Sequence, residues 1–330
     1  MLTSARPIAS LSLDLDNRWS YLKTHGDPGW DAHPSYLHIV APRVLSFLAQ
    51  RGLRITVFVV GQDAVIEENQ AAIRALADAG HEIGNHSFAH EPWLHLYKQD
   101  QIEAEIVKAE KAIVDVTGQR PVGFRGPGFS WSQSTLSVLA QRGYEYDAST
   151  LPTFIGPLAR AYYFMTAKLS AAEKRQRAAL FGRFSDGFRS NHPYLWRTQG
   201  GPILEIPVTT LPVCKAPMHF SYLLYLSTYS SAAADAYFRL AVMLCRASGT
   251  QPSLLLHPLD FLDSTEAPDL SFFPAMGTPA EVKMQRLGRW LDLLTSQFEV
   301  VTLREHATQA VARLAVSSGV PRDLLTGLEV

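Results

Sequence analysis

The chain has 330 residues, of which 47% are hydrophobic and 18% are charged, and its formal net charge is −1. This composition is typical of a globular protein with a substantial core, and the near-zero charge gives no support for nucleic-acid binding, which normally needs a basic excess. No stretch approaches the ~20 apolar residues of a membrane span, and the first ten residues lack the apolar region of a secretory signal, so we expect a cytoplasmic protein without a transmembrane segment.

Strand-like and helix-like segments alternate along most of the chain. The strand-like segments are short and apolar, whereas the helix-like segments carry apolar residues at the 3.6-residue period and often end at a glycine, such as Gly52 or Gly80. This alternation predicts parallel β/α units, and seven or eight strands predict a closed or nearly closed α/β barrel. The predicted strands are 8–15, 54–61, one ending at 86, 122–125, 144–147, 203–208, 253–257 and 299–303, and the main predicted helices are 34–51, 62–79, 99–116, 132–142, 233–244 and 281–294.

Residues 150–202 interrupt this alternation. More than fifty residues without a predicted strand are too many for a simple connection, which indicates a lid inserted into a single domain of residues 1–330. Basic residues exceed acidic ones by four between Lys168 and Arg189. A solvated helix is the usual explanation, and the alternative is attraction of an anionic substrate, in which Arg175 would take part.

Polar residues lie where several predicted strands end. His86 and His90 are four residues apart, so on a helix both imidazoles would lie on one face and point at one metal ion. This spacing alone is a weak signal. Asp14 and Asp16 strengthen it, because they end the first strand on one face and one of them could complete the metal site while the other stays free as a base.

Three further strand ends carry residues suited to acid–base chemistry. Arg125 follows a short strand and could hold the Asp14 carboxylate ionised, although it could also serve only a surface loop. Asp147 and His257 end two other strands, and as a pair they would form a general acid with the residue that orients it. The alternative for His257 is a core histidine. Because the C-terminal ends of barrel strands gather on one face, we expect these side chains to converge.

Five motifs in this order, SLDLDN, HSFAH, RGPGFS, YDAS and LLHP, resemble the signatures of the polysaccharide deacetylases, also called carbohydrate esterase family four. The resemblance spans about residues 8–260 and implies metal-dependent removal of N-acetyl groups from sugars on a distorted (β/α)7 barrel. By this likeness the metal ligands are Asp16, His86 and His90, the base is Asp14, the acid is His257, and Arg125 and Asp147 tune the base and the acid.

Two departures from the family pattern concern the substrate. Polysaccharide-acting members usually have adjacent aspartates in the first motif, whereas this chain has Asp14-Leu15-Asp16, which is similar to the branch of peptidoglycan deacetylase-like proteins, cyclic imidases and allantoinase-like enzymes. The aromatic residue that usually follows the acid of the fourth motif is also missing after Asp147. The reaction is therefore better defined than the substrate.

We therefore expect a metal-dependent amidohydrolase that removes an N-acetyl or other N-acyl group from a sugar, such as an intermediate of cell-surface glycan synthesis. The cofactor implied is a divalent metal, Zn²⁺ or another first-row ion. Hydrolysis of a cyclic imide or ureide on the same fold stays open, as does a carbohydrate-binding protein without activity. An anionic substrate, linked to a nucleotide or a lipid, and a homo-oligomer also stay open.

Substrate contacts are expected from residues in three places. His25 and Trp30 lie in the segment after the first strand, Pro127 and Phe129 belong to the third motif, and Arg175 lies in the basic segment. Residues 217–229 are apolar and aromatic, which favours buried core or an oligomer interface, and contact with a membrane surface is the alternative.

Overall fold

A computed structural model of the protein describes residues 6–156 and 184–318. Within these ranges nine strands form one sheet, and helices pack around it. The strands are β1 Ile8–Asp14, β2 Thr56–Val59, β3 Glu82–Asn85, β4 Gly123–Phe124, β5 Tyr146–Asp147, β6 Tyr194–Thr198, β7 Gly201–Glu205, β8 Ser253–Leu256 and β9 Glu299–Val301. The helices are α1 Arg18–His25, α2 Leu37–Ala49, α3 Gly61–Val65, α4 Glu67–Asp78, α5 Gln99–Thr117, α6 Gln133–Gln141, α7 Phe220–Tyr229, α8 Ser231–Ser248, α9 Ala280–Gln297 and α10 Leu303–Ser318.

The sheet curls into a nearly closed barrel. Its strand order is β6-β7-β5-β4-β3-β2-β1-β8, with β9 paired to β1, and every pair is parallel except β6 with β7. Beyond β7 the chain continues along β5, where the Val208 amide donates to the Thr150 carbonyl. The next amide, that of Thr209, donates to the Ser253 carbonyl of β8 at 2.9 Å and so links the two ends of the sheet. The prediction of a distorted (β/α)7-type α/β barrel is confirmed.

Three clusters of buried apolar side chains, one main and two smaller, pack the strands against the helices. All seven residues of β1 are buried, as expected of a parallel strand covered on both faces. Capping side chains fix the starts of two helices: Asn17 accepts from the Arg18 amide at α1, and Ser132 accepts from the Thr135 amide at α6. These caps set where each helix leaves its strand end, which positions the polar face of the barrel. No described helix is both long and apolar enough to cross a membrane.

The structure corrects the sequence prediction between residues 150 and 202. This segment contains β6, which pairs with β7 through the turn at Gln199 and Gly200. The strand was missed because its side chains are mostly half-buried and include the exposed Arg197, so it shows no apolar run. Residues 157–183, including Arg175, lie outside the described residues. The lid and the single-domain organisation therefore stay predictions.

Residues 217–229 contribute mainly to the core. Met218, Phe220, Leu223 and Leu224 are buried in the main apolar cluster. Tyr229 is 73% exposed, so only one face of α7 reaches the surface.

Candidate active site

Three side chains that could hold a metal ion converge where β1 and β3 end. His90 Nε2 lies 2.9 Å from Asp16 Oδ1, and His86 Nε2 lies 3.2 Å from the same oxygen. One ligand atom from each residue falls within 4.8 Å of the others, and all three side chains are buried. His86 Nδ1 lies 2.6 Å from the Arg125 carbonyl oxygen, so Nδ1 donates there and Nε2 is the nitrogen that faces Asp16. This donor set fits a divalent first-row metal.

The electrostatics of this cluster favour an anion between two imidazoles. Burial opposes ionisation of Asp16, but His90 and His86 beside it hold the pKa of its carboxyl well below its usual range. Burial also disfavours a charge on His86, yet the hydrogen bond to Asp16 and the nearby Asp14 raise the pKa of its imidazole. A divalent cation among these atoms would take the place of protons.

The segment from His86 to His90 is a loop, which corrects the helix considered for these histidines. Ser87 and His90 have positive φ angles of 60° and 49°, which a helix does not contain. The amides of Phe88 and Ala89 both donate to Glu105 Oε2 of α5, at 3.1 and 2.9 Å. A carboxylate from a neighbouring helix thus satisfies the loop backbone, and the loop brings both imidazoles to Asp16.

Asp14 is held by an ion pair deep in the barrel. Arg125 Nη1 donates to Asp14 Oδ1 at 2.6 Å and to Ser12 Oγ at 2.7 Å, and Arg125 Nε donates to the Ala148 carbonyl at 2.9 Å. The Arg125 guanidinium also lies 4.5 Å from the centre of the Phe58 ring. The Arg125 side chain is fully buried, so the alternative of a surface-loop arginine is wrong. Its guanidinium thus places a fixed positive charge against the Asp14 carboxyl group.

The structure does not pair Asp147 with His257, which corrects that part of the sequence prediction. Asp147 accepts from Ser149 Oγ at 2.6 Å and shares a hydrogen bond with Glu205, its register partner on β7. Burial raises the pKa of both carboxyls, and for Glu205 the neighbouring Asp147 adds to this effect. Two buried carboxyl groups side by side disfavour each other's ionisation. Asp147 was assigned to His257 because both end strands, but neighbouring parallel strands bring it to Glu205 instead.

His257 has different partners, which the sequence prediction missed. Its Nδ1 lies 2.9 Å from Ser221 Oγ of α7, and the same hydroxyl donates to Asp260 Oδ1 at 2.8 Å. His219 lies beside His257, with ring centres 5.8 Å apart. Burial lowers the pKa of His219 well below its usual range, and the charges of His257 and Arg125 act in the same direction. His219 is therefore a neutral neighbour of the site.

Tyr21 of α1 is a second residue that the sequence prediction missed. Burial raises the pKa of its phenol, and the nearby carboxylates of Asp16, Asp260 and Asp14 add to this effect. Its ring packs edge-on against Phe273 at 4.9 Å. The phenol therefore stays protonated and offers a hydrogen-bond donor near the acids. Nothing in the spacing of tyrosines along the chain marks this one.

The predicted substrate-binding residues occupy two regions. His25 is buried, with Nδ1 2.6 Å from Asp27 Oδ2 and its ring stacked on Phe272 at 3.7 Å. Trp30 is half-buried, with the Lys23 ammonium 5.2 Å from its ring centre.

The third motif supplies the other two described residues, Pro127 and Phe129. They form a short 3₁₀ turn next to Arg125, and Pro127 is buried whereas Phe129 is half-buried. Gly126 permits this turn, because a Cβ atom there would lie 1.9 Å from the Ser130 carbonyl oxygen. The substrate contacts of these residues and of His25 and Trp30 stay predictions.

Comparison with known proteins assigns a family to part of the sequence. Residues 29–146 match the family described as polysaccharide deacetylase. A peptidoglycan deacetylase of Helicobacter pylori is 33% identical over 111 residues, which are 33% of this chain and 36% of the relative. A chitooligosaccharide deacetylase of Sinorhizobium fredii is 30% identical over 131 residues, which are 37% of this chain and 60% of the relative. The similar region thus spans about one third to three fifths of these relatives.

Solved structures extend the likeness to nearly the whole fold. A protein of Mycobacterium smegmatis assigned to the polysaccharide deacetylases superposes with a TM-score of 0.57 at 20% identity, covering 95% of this chain and 96% of the other. A probable polysaccharide deacetylase of Pseudomonas aeruginosa gives a TM-score of 0.54 at 20% identity, covering 94% and 92%. The matched sequence shows that residues 29–146 are similar to the polysaccharide deacetylase family, and the solved structures show that the chain shares the fold of these proteins.

Proposed function

We propose that the protein is a metal-dependent amidohydrolase that removes an N-acetyl or other N-acyl group from a sugar. The observation that carries this proposal is the convergence of Asp16, His86 and His90 within 4.8 Å, next to the Asp14–Arg125 ion pair. The similarity to deacetylases of peptidoglycan and chitooligosaccharides supports an N-acetylated sugar as substrate.

The residues divide the chemistry between them. A divalent ion such as Zn²⁺, held by Asp16, His86 and His90, would supply Lewis acidity toward the amide and activate the attacking water. Asp14 would accept the proton of that water. Among the described residues no hydrogen bond occupies Asp14 Oδ2, because Arg125 uses Oδ1. His257 would protonate the departing nitrogen, and each proton-transfer group typically contributes about 10²–10⁴-fold.

Removal and return of the metal test this function directly. Purified protein is analysed for bound metals, treated with a chelator and reconstituted separately with Zn²⁺, Co²⁺ and Mn²⁺. We expect acetate release from N-acetylated chitooligosaccharides or peptidoglycan fragments to disappear with the metal and to return with at least one ion. Metal-free protein that keeps full activity would contradict the proposal.

Hydrolysis of a cyclic imide or ureide is the second candidate. The spacing Asp14-Leu15-Asp16 favours it, because it is similar to that of the imidase and allantoinase-like branch. The reconstituted protein is assayed for imide ring opening beside acetate release, and the larger kcat/KM decides between the two. A binding protein without activity is disfavoured, since binding alone requires neither the base nor the acid.

Four finer expectations also belong to this proposal. Two of them concern the substrate: that it is an intermediate of cell-surface glycan synthesis, and that it is anionic through a linked nucleotide or lipid. The other two are a homo-oligomer and a cytoplasmic location. All four stay predictions. Fractionation of cells, light scattering and a panel of neutral and anionic N-acetylated sugars would test them.

A further inference from the structure

The partners of His257 form a closed chain of hydrogen bonds. Its Nδ1 lies 2.9 Å from Ser221 Oγ, Ser221 Oγ lies 2.8 Å from Asp260 Oδ1, and the His257 backbone amide donates to Asp260 Oδ2 at 2.8 Å. Asp260 is buried, and Ser221 reaches this position from the first turn of α7. Both oxygens of one buried carboxyl group are thus tied to the histidine, one directly and one through a hydroxyl.

The number of hydrogens available in this series of hydrogen bonds determines which nitrogen of the neutral His257 imidazole is protonated. The Ser221 hydroxyl has one hydrogen, and when it donates to Asp260 it can only accept at its other contact. His257 Nδ1 must then carry a hydrogen and donate to Ser221. The neutral imidazole is therefore the Nδ1–H tautomer, and Nε2 is the nitrogen left for a substrate.

The groups around Asp260 shift its pKa and so determine whether it is ionised. Burial raises the pKa of Asp260, whereas His257, its backbone amide, Ser221 and Lys283 act against this effect. Lys283 of α9 is 1% exposed, and its ammonium is held by the Leu259 and Leu262 carbonyls. Tyr21 of α1 faces Asp260 as a neutral phenol, and His219 faces His257 as a neutral ring. Lys283 thus supplies a positive charge that favours the carboxylate form of Asp260.

We infer that Ser221 and Asp260 are positioning residues that hold the proton of His257 on Nδ1 and leave Nε2 to exchange a proton with the substrate. This inference rests on the proposed function for its catalytic meaning. In the protonated state His257 carries hydrogens on both nitrogens, and the Nε2–H bond breaks as the departing nitrogen takes that proton. The Nδ1–H tautomer remains, stabilised by Ser221 and Asp260. The role predicted for Asp147 thus falls to Asp260, acting through a serine.

Nitrogen NMR of ¹⁵N-histidine-labelled protein tests this directly, because it reports the tautomer without any assay of activity. The His257 signals are identified by their loss in His257→Gln. We expect wild-type His257, once neutral, to show a protonated Nδ1 and an unprotonated Nε2. A neutral His257 with its hydrogen on Nε2 would overturn the inference, since it would mean that Ser221 donates to the ring.

Variants of the two partners make the test specific. In Asp260→Asn the side-chain oxygen still accepts from the His257 amide, so its NH₂ group faces Ser221 and turns the hydroxyl hydrogen toward Nδ1. We expect this variant to move the hydrogen to Nε2 and to lower kcat by about 10²-fold with little change in KM. Ser221→Ala should give a mixture of tautomers, and Ser221→Thr, which keeps the hydroxyl, should restore the wild-type state. Asp292→Asn, at an exposed aspartate of α9, is the matched control.

The tautomer and activity measurements can fail independently, so a failure of the Ser221–Asp260 inference is distinguishable from a failure of the proposed amidohydrolase function. A lower kcat in Asp260→Asn with an unchanged tautomer would mean that Asp260 only supports the fold, and would overturn the inference. If the expected tautomers appear but no substrate is hydrolysed, the hydrogen-bond chain stands and the proposed amidohydrolase activity fails.

Discussion

Asp14 and Asp16 are separated by one residue, yet their surroundings suit them to different tasks. Asp16 Oδ1 lies among the Nε2 atoms of His86 and His90, whereas Asp14 Oδ1 accepts from Arg125. The pKa of Asp16 is held down by the two imidazoles against the effect of burial, so its carboxylate suits a metal. Asp14 Oδ1 is occupied by Arg125, and among the described residues no hydrogen bond occupies its Oδ2, which leaves that oxygen to receive a proton.

Replacing Asp14 by Asn tests this division. The amide keeps the size of the side chain but cannot accept a proton from water, so we expect kcat to fall by about 10²–10⁴-fold while metal content is unchanged. Asp16→Asn is the matched variant, and it should lose metal as well as activity. Metal content by elemental analysis and acetate release are measured on the same samples. An Asp14→Asn protein with full turnover and normal metal would remove Asp14 from the role of base.

At this scale the sequence indicates the residues that end strands, because a polar side chain after an apolar run stands out. Asp14, His86, Arg125 and His257 were found in this way. Ser221 could not be found, since it lies 36 residues before His257 and reaches it only through the placement of α7. Asp260 has a local signal: it stands three residues after His257, in the spacing of a capping box.

The loop from His86 to His90 shows how one element depends on another. Its backbone is held by Glu105, which lies on α5 and accepts from two consecutive loop amides. The Asn85 side chain adds a third contact, from the Ser87 amide at 2.9 Å. The sequence predicts both the strand before the loop and the helix that carries Glu105. It does not predict the loop, because left-handed backbone at Ser87 and His90 is stabilised by a residue far along the chain.

Glu105→Ala should therefore weaken the metal site without touching a ligand. Two loop amides would lose their acceptor, and the orientation of the two imidazoles would no longer be fixed. The loss of a contact that orients metal ligands typically costs 10–100-fold in metal affinity. The control is Glu103→Ala, at an exposed position on the same helix. Affinity is measured by competition with a fluorescent chelator. Equal affinities in the two variants would show that the loop is held by other contacts.

At the scale of the whole molecule, a buried histidine joins the last described helix to the first strand. His306 of α10 lies 2.8 Å, through Nδ1, from Ser10 Oγ of β1, and burial, aided by Arg313, lowers its pKa to about 4. The unfolded chain takes up a proton on this residue near pH 6.5, whereas the folded chain does not do so until about pH 4. The unfolded state thus binds more protons in this window, so stability is lost as the pH falls through it.

His306→Gln should make the protein less sensitive to acid. Glutamine can keep the contact with Ser10 but does not titrate, so the decrease in unfolding free energy between pH 7.5 and 4.5 should be smaller by on the order of 2 kcal/mol. Urea denaturation at both pH values measures this difference, and His38→Gln, at an exposed histidine of α2, is the control. If both variants lose as much stability as the wild type, His306 is not an acid-sensitive point.

The overall architecture was predictable because it rests on repeated local signals, namely apolar strands, periodic helices and glycine stops. The hairpin of β6 and β7 was not, since its stability comes from pairing and from rings that pack across it, such as Trp131 and Trp196 at 4.8 Å. The hairpin lies beside β5, and the chain that follows it links to β8 through the Thr209 amide. This placement also follows from tertiary contacts.

The place of β1 between β2 and β8 has a consequence for biosynthesis. The Ser12 hydroxyl donates to the Leu254 carbonyl across 242 positions of the chain. At about 5–20 residues per second, a ribosome needs roughly 10–50 s to supply that partner after Ser12 has been translated. During this interval one edge of the first strand has no partner strand. The segments carrying Asp16, His86 and His90 emerge early, whereas His257 is translated only when β8 is available to pair with β1.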